Sequence, residues 1–206
     1  GLLRSEFVLG ASWYYNRSES SSSGSEQFFD DSFGYHNLSA GTTWHEPTSG
    51  MDQNTMNSYY FRMNHNIKDR YLLGATFRAD GASNFGANNK YGFFPSVSAG
   101  WHLSEEEFFE PLRQTVSQAK LRTSYGLVGN ASIPSYRTIS QYGNGTTIFN
   151  KELSSFVVLS NLGNKDLKWE SSSQFNVGLD LGLLNNRFEL ILDFYSKSTR
   201  DLLFQK

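Results

Sequence analysis

Apolar and polar residues alternate along much of this chain with a period of two, the pattern of strands that have one apolar and one polar face. In the stretch from Gln174 to Leu183, Phe175, Val177, Leu179, Leu181 and Leu183 fall on one side, and Gln174, Asn176, Gly178, Asp180 and Gly182 on the other. After Asn185-Asn186-Arg187 the pattern resumes, with Phe188, Leu190, Leu192 and Phe194 against Glu189, Ile191, Asp193 and Tyr195. This predicts a hairpin with one apolar wall. The same alternation sets Phe7, Leu9, Ala11 and Trp13 opposite Val8, Gly10, Ser12 and Tyr14, and Tyr59, Phe61 and Met63 opposite Tyr60, Arg62 and Asn64. Tyr71, Leu73, Ala75 and Phe77 face away from Leu72, Gly74, Thr76 and Arg78, and Phe93, Pro95, Val97, Ala99, Trp101 and Leu103 from Phe94, Ser96, Ser98, Gly100 and His102. Leu121, Thr123, Tyr125 and Leu127 oppose Lys120, Arg122, Ser124 and Gly126. About seven strands follow, each of about ten residues, the length a tilted strand needs to cross a bilayer.

The connectors fall into two populations. Residues 66–70 and 184–187 are short, whereas 16–57, 80–91 and 129–170 are long and rich in Ser, Gly and Asn, and in strand order long alternates with short. Short turns at one rim and long loops at the other predict an all-β fold, an antiparallel transmembrane β-barrel wall segment with short periplasmic turns and long extracellular loops. Ser18–Ser25 reads as a flexible loop tip. Ser104 and Glu107 have capping-box spacing, so the connector from Ser104 through Ala119 is expected to begin as a short helix that caps the periplasmic rim. Trp13, Tyr14 and Tyr15, Tyr71 and Phe77, and Trp101 stand near strand ends, where half-polar rings suit headgroup depth.

Composition narrows the choices. Aromatic residues make up 16% of the chain, which suits two-faced strands. No apolar run approaches the roughly 18 residues of a membrane-spanning helix. A net charge of -2 without a Lys/Arg cluster argues against nucleic acid as a partner. Cysteine is absent, so thiol chemistry is excluded. The opening Gly1-Leu2-Leu3-Arg4-Ser5-Glu6 does not read as a signal peptide.

From residue 71 onward the text resembles the SusC/RagA family of TonB-dependent outer-membrane transporters. The resemblance is carried by Tyr71-Leu72-Leu73, Phe77-Arg78-Ala79-Asp80-Gly81-Ala82-Ser83-Asn84-Phe85-Gly86 and Asn89-Lys90-Tyr91-Gly92-Phe93-Phe94-Pro95-Ser96-Val97-Ser98-Ala99-Gly100-Trp101. It continues in order through Leu121-Arg122-Thr123-Ser124-Tyr125-Gly126, Gly129-Asn130, Asn161-Leu162, Leu167-Lys168-Trp169-Glu170 and Gln174–Asp180, and covers roughly 58–204. It implies a barrel of about 22 strands around an N-terminal plug, driven by TonB-ExbB-ExbD through a TonB box and paired with a SusD-like surface lipoprotein. No plug or TonB box is read here, and the stop at Phe204-Gln205-Lys206 falls on the side expected to be extracellular. The chain, 1–206, is therefore expected to be a fragment of one barrel domain in the bacterial outer membrane. The implied function is active import of a bulky nutrient, an oligosaccharide or a peptide. A soluble β-sandwich that binds carbohydrate is the alternative.

No catalytic, cofactor or metal residues are assigned, and no enzyme is expected. The histidines His36, His45, His65 and His102 lack metal-ligand spacing, and Asp30-Asp31 reads as a solvated pair with a cation contact as the sharper alternative. The candidate contacts to substrate or partner are Arg78, Asp80, Asn130, Tyr136, Tyr142 and Phe149. Arg78 and Asp80 share a polar strand face and suit either a ligand contact or an inter-strand salt bridge. Tyr136, Tyr142 and Phe149 lie in the long loop after Asn130, where rings can stack on sugars or peptide side chains.

Overall fold

A computed structural model of the chain describes residues 2–32 and 34–203. The stop at Phe204-Gln205-Lys206 lies outside the described residues. The strands are β1 (Leu3–Glu26), β2 (Thr43–Ile67), β3 (Tyr71–Ala82), β4 (Tyr91–Phe93), β5 (Ser96–His102), β6 (Val116–Asn130), β7 (Gln141–Phe149), β8 (Glu152–Asn161), β9 (Glu170–Leu183) and β10 (Phe188–Arg200). The main sheet runs β1-β2-β3-β5-β6-β9-β10, with β4 paired to β3, and β7 and β8 form a sheet of their own. Those seven wall strands are the ones the alternation predicts, and the pairings for which registers are described are antiparallel.

The chain forms two compact units. The larger takes in the described residues within Gly1–Tyr14 and Thr55–Lys206. Its register sorts side chains by face. Rows such as Phe61↔Phe77 on β2 and β3, and Leu121↔Leu179↔Leu192 across β6, β9 and β10, put apolar side chains side by side. These residues stay open on their outer side: Phe77 is 52% exposed and Phe194 67%. Across the strand, Asn64↔Gly74↔Ser98↔Ser124↔Asn176 makes the polar counterpart. A one-residue slip would exchange the faces along a whole strand, so the pattern pins the register. The short connectors are tight turns with left-handed residues, Lys68 and Asp69 in one and Leu184, Asn185 and Asn186 in the other. Asn66 and Ser117 brace them through hydrogen bonds to Asp69 and Asn186.

The smaller unit, Tyr15–Asn54, corrects the expected first long loop. Only residues 27–42 connect the strands there, because β1 runs on to Glu26 and β2 begins at Thr43. Ser18–Ser25 is strand, not a flexible tip. An antiparallel ladder is held by backbone hydrogen bonds, so exposed Ser and Thr side chains extend it without an apolar face. Trp13, Tyr14 and Tyr15 are therefore mid-strand, and Phe77 likewise lies within β3, which continues to Ala82. Asp30 accepts bonds from the Ser32 hydroxyl and amide, which hold its carboxyl below the usual carboxylate range.

Two other connectors differ from expectation. The stretch 129–170 holds the β7–β8 hairpin, turned at the left-handed Asn150 and Lys151. The β5–β6 connector is a pair of 3-10 turns, Leu103–Glu105 and Glu107–Leu112, and β6 already begins at Val116. Ser104 caps nothing: it is buried inside the first turn, and neither turn has a side-chain cap. The connector is fastened instead by Glu106, which accepts hydrogen bonds from Tyr71 Oη at 2.7 Å, Trp101 Nε1 at 3.0 Å and Arg70 Nη1 at 3.2 Å.

The Tyr71 hydroxyl first, then the Trp101 indole, hold the Glu106 carboxyl below the usual range. A lowered folded-state pKa adds stability that is complete above the ordinary Glu range and disappears as the pH falls through the folded value. Hydrogen exchange in residues 103–115 is thus expected to stay slow from neutral pH down to the ordinary Glu range and to quicken below it. A Glu106→Gln variant should be fast throughout; a wild-type profile in that variant would refute the role of the carboxylate.

Candidate functional site

The polar face of the larger unit carries the candidate site. Near the β3–β4 end of this face a groove of roughly 680 Å³ is lined by residues that include Arg78, Asp80, Phe94, Asn130, Trp169 and Asn176. Three of the candidate residues, Arg78, Asp80 and Asn130, meet there because β3 and β6 both end beside it.

Arg78 Nε donates to both oxygens of Asp80, at 2.7 and 2.9 Å, and its Nη2 donates to Ser58 Oγ at 3.1 Å. Residues two apart on one strand share a face, which brings the guanidinium over the carboxylate. The ion pair is thus within β3, and the inter-strand partner is the buried Ser58 of β2. Asp80 is nearly enclosed, while the Arg78 side chain is 44% exposed and keeps one edge open to the groove. Asn130 closes β6: its Oδ1 accepts from Ser132 N at 3.0 Å and its Nδ2 donates to Glu170 Oε1 at 3.4 Å.

The aromatic candidates do not join this cluster. Tyr136 is a left-handed residue in the loop after β6. Tyr142 and Phe149 lie on β7, both largely exposed. Seven positions apart on one strand, they point to opposite faces of the hairpin and cannot form a single stacking platform.

Two features were missed in the sequence. The first is a core at the same end, where Phe85 and Trp169 lie 5.1 Å apart and Phe94 and Trp169 5.3 Å apart. The second is an ion ladder further along the polar face. Arg122 on β6 binds Asp180 of β9 through Nε and Nη2, at 2.8 and 2.7 Å, and Asp193 of β10 at 3.0 Å. Gly178 makes room for it: a Cβ there would lie 2.5 Å from Asp193 Oδ1 and 2.7 Å from Arg122 Cζ. Alternation puts all these residues on polar faces, but it does not reveal register, so the ladder stays hidden in the text. Beside it a second groove of roughly 470 Å³ is lined by residues including Arg4, Asn64, Lys120 and Ser124. Among the described residues no His, Cys, Asp and Glu side chains converge in a set of three or more fit for a metal. The arrangement sets out charged and hydrogen-bonding groups along one face of the sheet.

Comparison with known proteins accords with this geometry. The family described as TonB dependent receptor-like, beta-barrel matches residues 2–206. TonB-dependent receptor P3 of Formosa agariphila is 36% identical over 197 residues, which cover 96% of this chain and 20% of that protein. TonB-dependent receptor SusC of Bacteroides thetaiotaomicron is 35% identical over 168 residues, 77% of this chain and 16% of that one. Among solved structures, that of the RagAB peptide transporter superposes with a TM-score of 0.84 at 26% identity, covering 98% of this chain and 22% of the other. The chain thus spans about a fifth of the length of these relatives.

Proposed function

We propose, because this chain belongs to the TonB-dependent receptor-like β-barrel family, that it is wall of an outer-membrane barrel that imports a bulky nutrient. The observation that carries the reading is the two-faced sheet. Its apolar rows suit lipid, and its polar rows, with the Arg122–Asp180–Asp193 ladder, suit a hydrated lumen. Among the described residues β1 and β10 stand at the two edges of the sheet, and because lipid does not tolerate an open edge, strands beyond these residues close the barrel. Energy comes from TonB-ExbB-ExbD, and a SusD-like surface lipoprotein works with the importer at its outer mouth. The cargo is an oligosaccharide or a peptide; the likeness to the RagAB peptide transporter supports the peptide arm. Arg78, Asp80 and Asn130 belong to the lumen wall near the outer end, with Tyr136, Tyr142 and Phe149 in the loops beyond it. The carbohydrate-binding sandwich is disfavoured, since among the described residues no second sheet covers the apolar rows.

Deleting the full-length gene tests this. Growth of the source bacterium on mixed oligosaccharides or on peptides as carbon source is expected to fail for one of them, and that one names the cargo class. Unimpaired growth on both, with transport equally unaffected by dissipating the proton gradient, would sink the importer reading.

A further inference from the structure

Resting on the reading of this chain as barrel wall, we propose that the β5–β6 connector is an interfacial anchor whose Phe108 binds the phospholipid of the inner leaflet. It does not hang free below the rim. The geometry places it on the lipid side. Tyr71, Trp101 and Leu121 form one cross-strand row on the apolar face, at the ends of β3 and β5 next to the connector. Tyr71 and Trp101 stack at 6.3 Å. The connector folds onto that row and not toward the polar face: Glu106 takes hydrogen bonds from Tyr71 and Trp101, and the Phe108 ring meets Trp101 edge-on at 6.1 Å.

The chemistry of the patch identifies its occupant. Phe108 is 63% exposed although it extends an aromatic row. The phenol and indole donors beside it are already satisfied by Glu106, so the rings can enter the acyl and glycerol region without stranding a polar group. The patch is continuous with the apolar face that the wall turns to lipid. The connector and the β2–β3 turn, joined by the Arg70–Glu106 pair, carry charges of both signs, Glu105, Glu107, Glu110 and Arg113 in the one and Lys68, Asp69 and Arg70 in the other. That mixture gives no preference for an anionic surface and suits a zwitterionic phospholipid.

The test uses the full-length protein in phosphatidylcholine nanodiscs, with all other cysteines replaced and a nitroxide at one position. Positions are compared by F108C, E107C and L192C. The label at Phe108 is expected to be open to oxygen and shielded from an aqueous nickel chelate, as at Leu192, whereas that at Glu107 is open to the chelate. A lipid-facing Leu192 with a chelate-accessible Phe108 would overturn the anchor and leave the wall standing. If Phe108 is shielded from both reagents, protein covers it and the anchor is wrong. A chelate-accessible Leu192 would remove the wall reading and the anchor with it.

Discussion

Replacing Phe85 by alanine is expected to destabilise the rim beside β4 by about 3–5 kcal/mol, the range for emptying a buried phenylalanine site. Phe85 is 1% exposed, and with Ala82, Phe94 and Trp169 it forms a cluster of buried side chains among the described residues. Met56, Leu127, Ala131, Ile133 and Leu167 pack around it. The same core fastens three loops to one another. Asn84 Nδ2 donates to Ile133 O at 2.8 Å, Asn89 Nδ2 to Asp166 O at 3.2 Å, and Trp169 Nε1 to Lys90 O at 3.0 Å. Little slack exists for repacking, since a Cβ on Gly129 would stand 2.0 Å from the Phe94 ring. The loss should be local, because the wall strands are held by their own ladder. Hydrogen exchange on the full-length protein should therefore show residues 83–91, 131–140 and 162–169 deprotected, with β9 unchanged between Gln174 and Leu183. Retained loop protection would mean that this cluster does not hold the rim.

The wall was legible in the sequence because one rule, alternation, governs both its faces. Every wall strand announces itself by which residues must avoid which solvent. Its ends were not legible, since a ladder held by backbone hydrogen bonds runs on where the side chains no longer alternate. Ser20, Ser21 and Ser22 extend β1 as well as an apolar residue would, and look like loop. The β5–β6 connector failed for a different reason. Ser104 and Glu107 have the spacing of a cap, but Glu106 had more to gain from the paired donors of Tyr71 and Trp101, which are more than thirty and just five positions away in the chain.

The candidate site divides along the same line. Arg78 and Asp80 are two apart, so their shared face is readable, and the structure joins them. Their third partner, Ser58, lies twenty positions upstream and enters only through the β2–β3 register, in which it sits opposite Asp80. The Arg122 ladder spans fifty-eight and seventy-one positions and depends on the registers of β6 with β9 and of β9 with β10. Phe85, Phe94 and Trp169, which carried part of the family resemblance, prove to be core residues, so their presence in the text reports packing of the rim.

Leu192→Arg should decide whether the apolar rows face lipid. Leu192 is central in β10, opposite Leu179, and 52% exposed. In water, an arginine at an exposed strand position changes stability by no more than about 0.5 kcal/mol. In a bilayer, a charge on the outer face near the midplane costs about 2–4 kcal/mol, falling to about 0–1 kcal/mol near the headgroups. Asn176→Arg is the matched control: it lies one strand over on the polar face, between Ser124 and Tyr195, where a guanidinium stays hydrated. Urea unfolding of the full-length protein in phospholipid vesicles should therefore separate the two variants by at least about 2 kcal/mol, Leu192→Arg being the weaker. Equal stabilities would mean that both faces meet water, and the transmembrane wall would have to be abandoned in favour of a soluble sheet. A loss confined to Asn176→Arg would instead reverse the faces, setting the Arg122–Asp180–Asp193 ladder toward lipid, where its partly exposed charges would lose their hydration.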